Sequence, residues 1–400
     1  MEERSHPSTI LLLMAETGAG HRSAATALRQ AMQLLASVDD QGTNCYRSEL
    51  IDAFTTCGTL PVRKLGMLYA ATIRYAPWLY GALFHLTNHP WSFRALEWLL
   101  YRLIRSGLAR LFIETRPDLI VSMHPLINHV SLRVLAALQM RVPVVTVMTD
   151  LITPHRGWID PAVDACIVPT ELARACCQHQ GLAAERIQVL GLPIDLKFGR
   201  PGAPKALVCQ RLGLDPNMPI VLLAGGGAGV GRLEELARAL WQSDLPIQVL
   251  VVTGKHTRLQ RRLEQLARRL PGHLQQRCRV LGFVQQMPDL MQAADLLITK
   301  AGPSTICEAT ACKLPLVLSG CVPGQEERNI EYACEQGIGL RAETPEQVIS
   351  ILREALQPHS PLLEQMRANM ARLQDPCAAL HIAAWLLAHL PTREAPTQTG

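Results

Sequence analysis

Charge is scarce in this chain: 18% of its 400 residues are Asp, Glu, Lys or Arg, and the net charge is +5. So slight a basic balance gives no argument by itself for a nucleic-acid partner. Long apolar runs are missing as well. None reaches the ~18 residues of a spanning helix. Residues 10–15 are apolar, but the run is short, has no basic region before it and leads into a glycine loop; it reads as a strand, not a signal peptide. The twelve cysteines include no C-x-x-C pair. A zinc site or a disulfide framework is therefore not expected, and the thiols read as reduced and buried. There is no repeat of 20–50 residues, no D-x-D near a strand end, no G-x-G-x-x-G and no P-loop.

What is present is a large apolar fraction, 48% of residues, in short runs. In the second half, apolar runs at 220–224, 247–253, 279–283, 296–299 and 316–319 predict strands. Helical patterns at 233–241, 258–270, 287–294, 304–312 and 326–336 fall between and after them. Such alternation predicts β-α-β units on a parallel sheet. The first half opens with a strand at 9–14 and a helix at 22–35, and later strands are expected at 118–122, 144–149 and 165–168. Pro and Gly gather at 193–204, which marks a linker. The expected fold is α/β, with two Rossmann-like domains facing a cleft. The expected units are residues 1–195 and residues 205–375, with a helix and tail at residues 376–400. Ligands of open α/β sheets bind beyond the carboxyl ends of the strands, so the loops after strands are where chemistry is expected.

Four loops fit. The first is ETGAGH, residues 16–21. Gly18 and Gly20 permit close backbone approach, and the helix start favours an anion. His21 could act as a general base or could simply cap and orient the loop. The second is GGGAGVG, residues 225–231, whose amides suit a diphosphate unless the glycines serve only tight packing. The third is KAGPSTICE, residues 300–308. Ser304 and Thr305 sit at a helix start, and Glu308 one turn on could accept from the vicinal hydroxyls of a ribose; the alternative is an ordinary helix cap with a surface glutamate. The fourth is GQEERN, residues 324–329, whose polar groups could read sugar hydroxyls or be a solvated helix start.

Residues 54–112 stand apart. They hold eleven of the eighteen aromatics, together with Arg63, Lys64, Arg74, Arg94, Arg102, Arg105 and Arg110. Basic residues among Trp and Tyr suit an anionic bilayer surface. An aromatic helical subdomain with a solvated basic face competes with that reading, and nucleic acid is the weaker electrostatic alternative.

The combination resembles glycosyltransferase family 28, in the branch of monogalactosyldiacylglycerol synthases and processive diacylglycerol glucosyltransferases. The similarity runs over about residues 9–390. It rests on ETGAGHRSAATAL, PDLIVSMHPLINHVSLRVL, VTVMTDLITPHRGW, GGGAGVG, LGFVQQMPDLMQAADLLITKAGPSTICEA and GQEERN. It implies a GT-B fold, in which residues 1–195 bind the acceptor and associate with the membrane and residues 205–375 bind the UDP-sugar. It also implies an inverting transfer of glucose or galactose from that donor to diacylglycerol, giving a β-glycosyl lipid with no metal and no cofactor. By the same resemblance, Phe283 and Val284 hold the uracil and Glu308 the ribose. Gly227, Ala228, Gly229, Gly302, Ser304 and Thr305 face the diphosphate, and Gln325, Glu326 and Asn329 the sugar. His21 is the leading base, with Asp150 the second candidate. Gly18, Gly20, Arg63, Lys64, Trp78, Trp91 and Trp158 are expected on the acceptor or membrane side. The implied location is peripheral, on the cytoplasmic face of a membrane. Alternative functions are transfer of N-acetylglucosamine to a lipid-linked peptidoglycan precursor, epimerisation of a UDP-N-acetylhexosamine, and non-catalytic binding of a UDP-sugar or lipid.

Overall fold

The computed structural model describes residues 7–36, 46–225, 232–357, 360–373 and 375–391. The first six strands are β1 (Ser8–Met14), β2 (Tyr46–Asp52), β3 (Leu119–Ser122), β4 (Val144–Val147), β5 (Ala165–Val168) and β6 (Ile187–Val189). They form one parallel sheet in the order β2-β1-β3-β4-β5-β6. A second parallel sheet holds β7 (Ile220–Ala224), β8 (Gln248–Val252), β9 (Cys278–Leu281), β10 (Leu296–Thr299), β11 (Leu316–Leu318) and β12 (Gly339–Arg341). Its order is β12-β11-β10-β7-β8-β9. In each sheet the order reverses beside the first strand, between β1 and β3 and between β7 and β10. A crevice opens at such a switch point.

The helices of the first half are α1 (Ala19–Leu34), α2 (Ala53–Cys57), α3 (Leu65–Tyr75), α4 (Pro77–Thr87), α5 (Pro90–Thr115), α6 (Asn128–Ala137) and α7 (Glu171–His179). Those that follow are α8 (Lys205–Leu212), α9 (Leu233–Gln242), α10 (Thr257–Ala267), α11 (Gly272–Gln275), α12 (Met287–Ala293), α13 (Pro303–Ala311), α14 (Glu327–Glu335), α15 (Pro345–Ala355), α16 (Pro361–Leu373) and α17 (Ala378–Ala388).

The central strands are buried on both faces, so they are apolar at nearly every position: β1 contributes Ile10, Leu11, Leu12 and Leu13, all fully buried. Leu11 and Leu13 face α5 and the segment before it, whereas Ile10 and Leu12 face α1. The latter layer is closed by α17. Ala379, Ile382, Ala383 and Leu386 are inaccessible to solvent and pack with Ala24, Leu28 and Ala31 of α1. The last of the described helices thus returns to the first sheet. Burying an Ile or Leu side chain is worth about 1.5–3 kcal/mol, so this contact is a substantial part of the first half's core.

Residues 54–112 are helical almost throughout, and their aromatics divide by direction. Phe54, Phe93 and Phe112 are in the core. Trp78, Trp91 and Trp98 are 72%, 65% and 53% exposed, beside exposed Leu60, Met67, Leu68, Leu79, Leu83, Leu86 and Leu99. So many exposed large apolar side chains within one segment suit an interaction surface. Among the described residues, no helix is long and apolar enough to cross a membrane.

Candidate active site

Both switch points open onto one cleft. Thr17, Gly18, Gly20, His21 and Asp150 line it from the first half, with Phe283, Val284, Lys300, Gly302, Ser304, Thr305, Glu308, Gln325 and Glu326 from the second. The sequence places these residues in loops more than 300 positions apart, and the topology brings them together. Gly227, Ala228 and Gly229 lie outside the described residues.

Two helix N-termini meet across the cleft. At α1, the chain turns at Gly18 with φ +94°, and a Cβ there would lie 3.3 Å from the Tyr69 ring. A Cβ on Gly20 would stand 3.3 Å from Ser304 Oγ at the start of α13. Gly18 needs glycine for its backbone, and at Gly20 a side chain would crowd the Ser304 hydroxyl by a few tenths of an ångström. Pro303 opens α13, where its missing N–H costs nothing. Ser304 Oγ is buried with no hydrogen-bond partner among the described residues. Buried hydroxyls are normally satisfied, so this one, at the positive end of a helix, is ready for an anion.

His21 lies in the first turn of α1. Its ring is 4.8 Å from that of His124 and 5.9 Å from that of Trp158, and Nδ1 is 2.9 Å from Thr149 Oγ1. Burial pushes its pKa down to about 4, partly opposed by a hydrogen bond to the Met123 backbone. The imidazole is therefore neutral at pH 7. His124 is an active-site neighbour not singled out in the sequence, although it follows β3 at the same sheet end. Leu126 N donates to its Nδ1 at 3.2 Å, which puts the proton on Nε2, 2.7 Å from Thr17 Oγ1. Burial, then the nearby His21 and His155, hold His124 well below the usual imidazole range.

Asp150 follows β4 and is 5% exposed. Its Oδ2 accepts from Trp158 Nε1 at 2.7 Å and from His155 N at 3.4 Å, and Oδ1 accepts from Gln325 Nε2 at 3.2 Å. Burial raises its pKa against these donors. Trp158 was expected on the acceptor or membrane side. It is instead fully buried and braces Asp150; an indole in a sequence does not reveal which way it points.

On the opposite wall, Glu308 is half-buried one turn into α13. Desolvation, with Asp195 nearby, raises its carboxyl to about 8. Glu326 is tied down: Lys300 Nζ pairs with one oxygen, and Val322 N donates to the other at 2.9 Å. Asn329 departs from the expectation that it faces the sugar. It is buried, is absent from the cleft lining and donates to Ala301 O at 2.9 Å, bracing the turn before α13. Phe283 stands 66% exposed at the rim, with Lys255 Nζ 5.8 Å from its ring centre.

Arg63, Lys64, Trp78 and Trp91 lie outside the cleft on the exposed helical segment. Arg63 Nε donates to Gly58 O at 2.7 Å, so this cation also holds the chain before α3. The inner side of the same segment was not anticipated. Tyr69 and Ile73 of α3 line the cleft, and Tyr80 of α4 reaches Gln325. Among the described residues, no group of three or more His, Cys, Asp or Glu is gathered as a metal site would require.

Comparison with known proteins agrees with this layout. Residues 21–194 match the family model of monogalactosyldiacylglycerol synthase, and residues 220–378 match that of the glycosyltransferase family 28 C-terminal domain. Monogalactosyldiacylglycerol synthase 1 of Arabidopsis thaliana is 35% identical over 394 residues, covering 95% of this chain and 70% of the plant protein. A probable monogalactosyldiacylglycerol synthase of Glycine max is 34% identical over 393 residues, covering 95% and 71%. Among solved structures, an Acinetobacter baumannii MurG superposes with a TM-score of 0.60 at 16% identity, covering 96% of this chain and 100% of that one. Anabaena HepE in complex with UDP-glucose superposes with a TM-score of 0.56 at 17% identity, with the same coverage. These likenesses show the two-domain GT-B fold. The two matched models, with relatives alike over nearly the whole chain, place this protein in the monogalactosyldiacylglycerol synthase family of glycosyltransferases.

Proposed function

We propose that the protein transfers a hexose from a UDP-sugar to diacylglycerol at a membrane surface, with inversion, and that galactose is the sugar, as the relatives' names suggest. One observation carries the chemistry. The neutral His21 and the unpartnered Ser304 hydroxyl stand on opposite walls of the same cleft, at two helix N-termini in close approach. The diphosphate would lie against the start of α13 and Lys300, the ribose against Glu308 and the base beside Phe283 and Val284. The acceptor hydroxyl would enter from the α1 side. His21, or Asp150 if the imidazole only orients the loop, takes the proton as the hydroxyl oxygen bonds to the anomeric carbon. The bond from that carbon to the diphosphate oxygen breaks, and UDP leaves with the electron pair. Charge growing on the diphosphate meets fixed amides and an ammonium, so the proposed reaction calls for no metal or cofactor.

The lipid acceptor would be reached through the exposed face of α3–α5. Arg94, Arg102, Arg105 and Arg110 lie on that segment and are exposed, which suits anionic headgroups, while Trp78, Trp91 and Trp98 suit the interfacial layer. The protein would act peripherally from the cytoplasmic side, where its thiols stay reduced. Incubation with diacylglycerol vesicles and UDP-galactose or UDP-glucose tests this, with the lipid product and its anomeric configuration read by NMR. A β-glycosyldiacylglycerol is expected. UDP release without glycolipid from either donor would overturn the proposal.

A further inference from the structure

The helices that present the exposed apolar face also touch the second sheet's loops with their inner side. A Cβ on Gly81 of α4 would stand 2.8 Å from the Pro323 side chain, and one on Gly324, at φ +78°, would stand 2.8 Å from the Phe84 ring. Glycine at both positions lets α4 sit directly on residues 323–325. The Tyr80 hydroxyl donates to Gln325 Oε1 at 2.9 Å, while its ring meets Tyr69 edge-to-face with centroids 5.2 Å apart. An amide whose oxygen is occupied has only its nitrogen to turn the other way. Gln325 Nε2 accordingly donates to Asp150 Oδ1 at 3.2 Å. Asp150 thus draws donors from both halves of the molecule, Trp158 Nε1 and His155 N from the first at one oxygen and Gln325 from the second at the other.

We propose that Tyr80 is a positioning residue for transfer: its hydroxyl fixes the Gln325 amide, which holds Asp150 in place, so the membrane-facing helix α4 sets the geometry of the site. Without that hydroxyl the amide can rotate, and Asp150 loses a defined donor. The contact also makes Gln325 more than a sugar reader, since both ends of its side chain are already engaged by the protein. The inference rests on the function proposed above.

A double-mutant cycle tests it. Tyr80→Phe keeps the ring and its packing, and Gln325→Ala removes the intermediary. On diacylglycerol vesicles, Tyr80→Phe is expected to lower kcat about 3–10-fold, the scale of one hydrogen bond, with donor Kd within about 2-fold. In the Gln325→Ala background the same change is expected to have less than a 2-fold effect, because it acts through the missing group. Vesicle co-flotation of Tyr80→Phe should equal that of the wild type. An unchanged kcat, an equal loss in both backgrounds, or a loss that follows weakened flotation would overturn the proposal. A wild type that forms no glycolipid would overturn the proposed function itself, and this inference with it.

Discussion

Two titratable residues of the cleft are shifted in opposite directions, and each gives a pH signature. Glu308, held near pKa 8, must be ionised to accept two hydroxyl hydrogens from a ribose. Binding that prefers the carboxylate lowers its pKa and releases a proton. Donor affinity should therefore rise with pH from 6 to 8 and level off above the free-protein pKa, by at most tenfold per unit. Calorimetry with a UDP-hexose in buffers of different ionisation enthalpy reads both affinity and proton release. Glu308→Gln should abolish the slope; an unchanged slope would remove Glu308 from the donor site. His21, near pKa 4, is already deprotonated over that range, so its protonation would curtail activity only well below pH 6. His21→Ala should lower turnover by ~10²–10⁴, the usual contribution of a general base, with donor affinity nearly constant. Turnover surviving within a few-fold would leave His21 as a loop-orienting group. His21 was legible because it follows a glycine turn after a strand. His124 carries a weaker signal, a lone histidine after β3. The burial of Trp158 and Asn329 had none, since side-chain direction is fixed by tertiary packing.

Among the elements, the central strands could be read, and of the four edge strands only β9 could. A strand covered on both faces is a continuous apolar run, as β1, β7 and β10 are. The edge strand β2, with Arg47, Ser48, Glu49 and Asp52, is only partly buried and gives no such run. The edge strands β6 and β12, three residues each, are too short to stand out. The segment of residues 54–112 was legible as a group but not in its two-sidedness, because one helix pair faces solvent with Trp78 and the cleft with Tyr69. That division sharpens the membrane prediction. Replacing Lys64 by glutamate and Trp78 and Trp91 by serine changes only exposed side chains, while Arg63 stays because it holds Gly58. The variant should keep its melting temperature and donor affinity. It should float poorly with anionic vesicles and lose activity on them, and wild-type flotation should weaken with salt. Full co-flotation of the variant would mean that the exposed aromatics do not meet a bilayer.

On the scale of the whole molecule, the return of α17 to the first sheet ties the two halves together. The apolar pattern of residues 378–390 predicts a helix, but nothing in it says against which half it packs. Ile382 and Leu386 are completely buried against α1, and truncating either to alanine should cost about 2–5 kcal/mol, measurable by urea denaturation. A fragment ending at residue 200 should melt well below the intact protein, and a peptide of residues 376–391 added in trans should restore part of the loss; a fragment as stable as the whole would show that the contact is dispensable. The same feature bears on synthesis. A chain leaves the ribosome from its N-terminus, and domains generally fold as they emerge. Here the first sheet emerges early, yet its α1 face stays uncovered until residues 378–388 have been made. The second sheet, synthesised later, can finish first. During elongation, that open apolar face is where a chaperone would bind, and a transcript cut short before the last helix would yield a protein that holds its donor-side loops yet is marked for degradation by the half translated first.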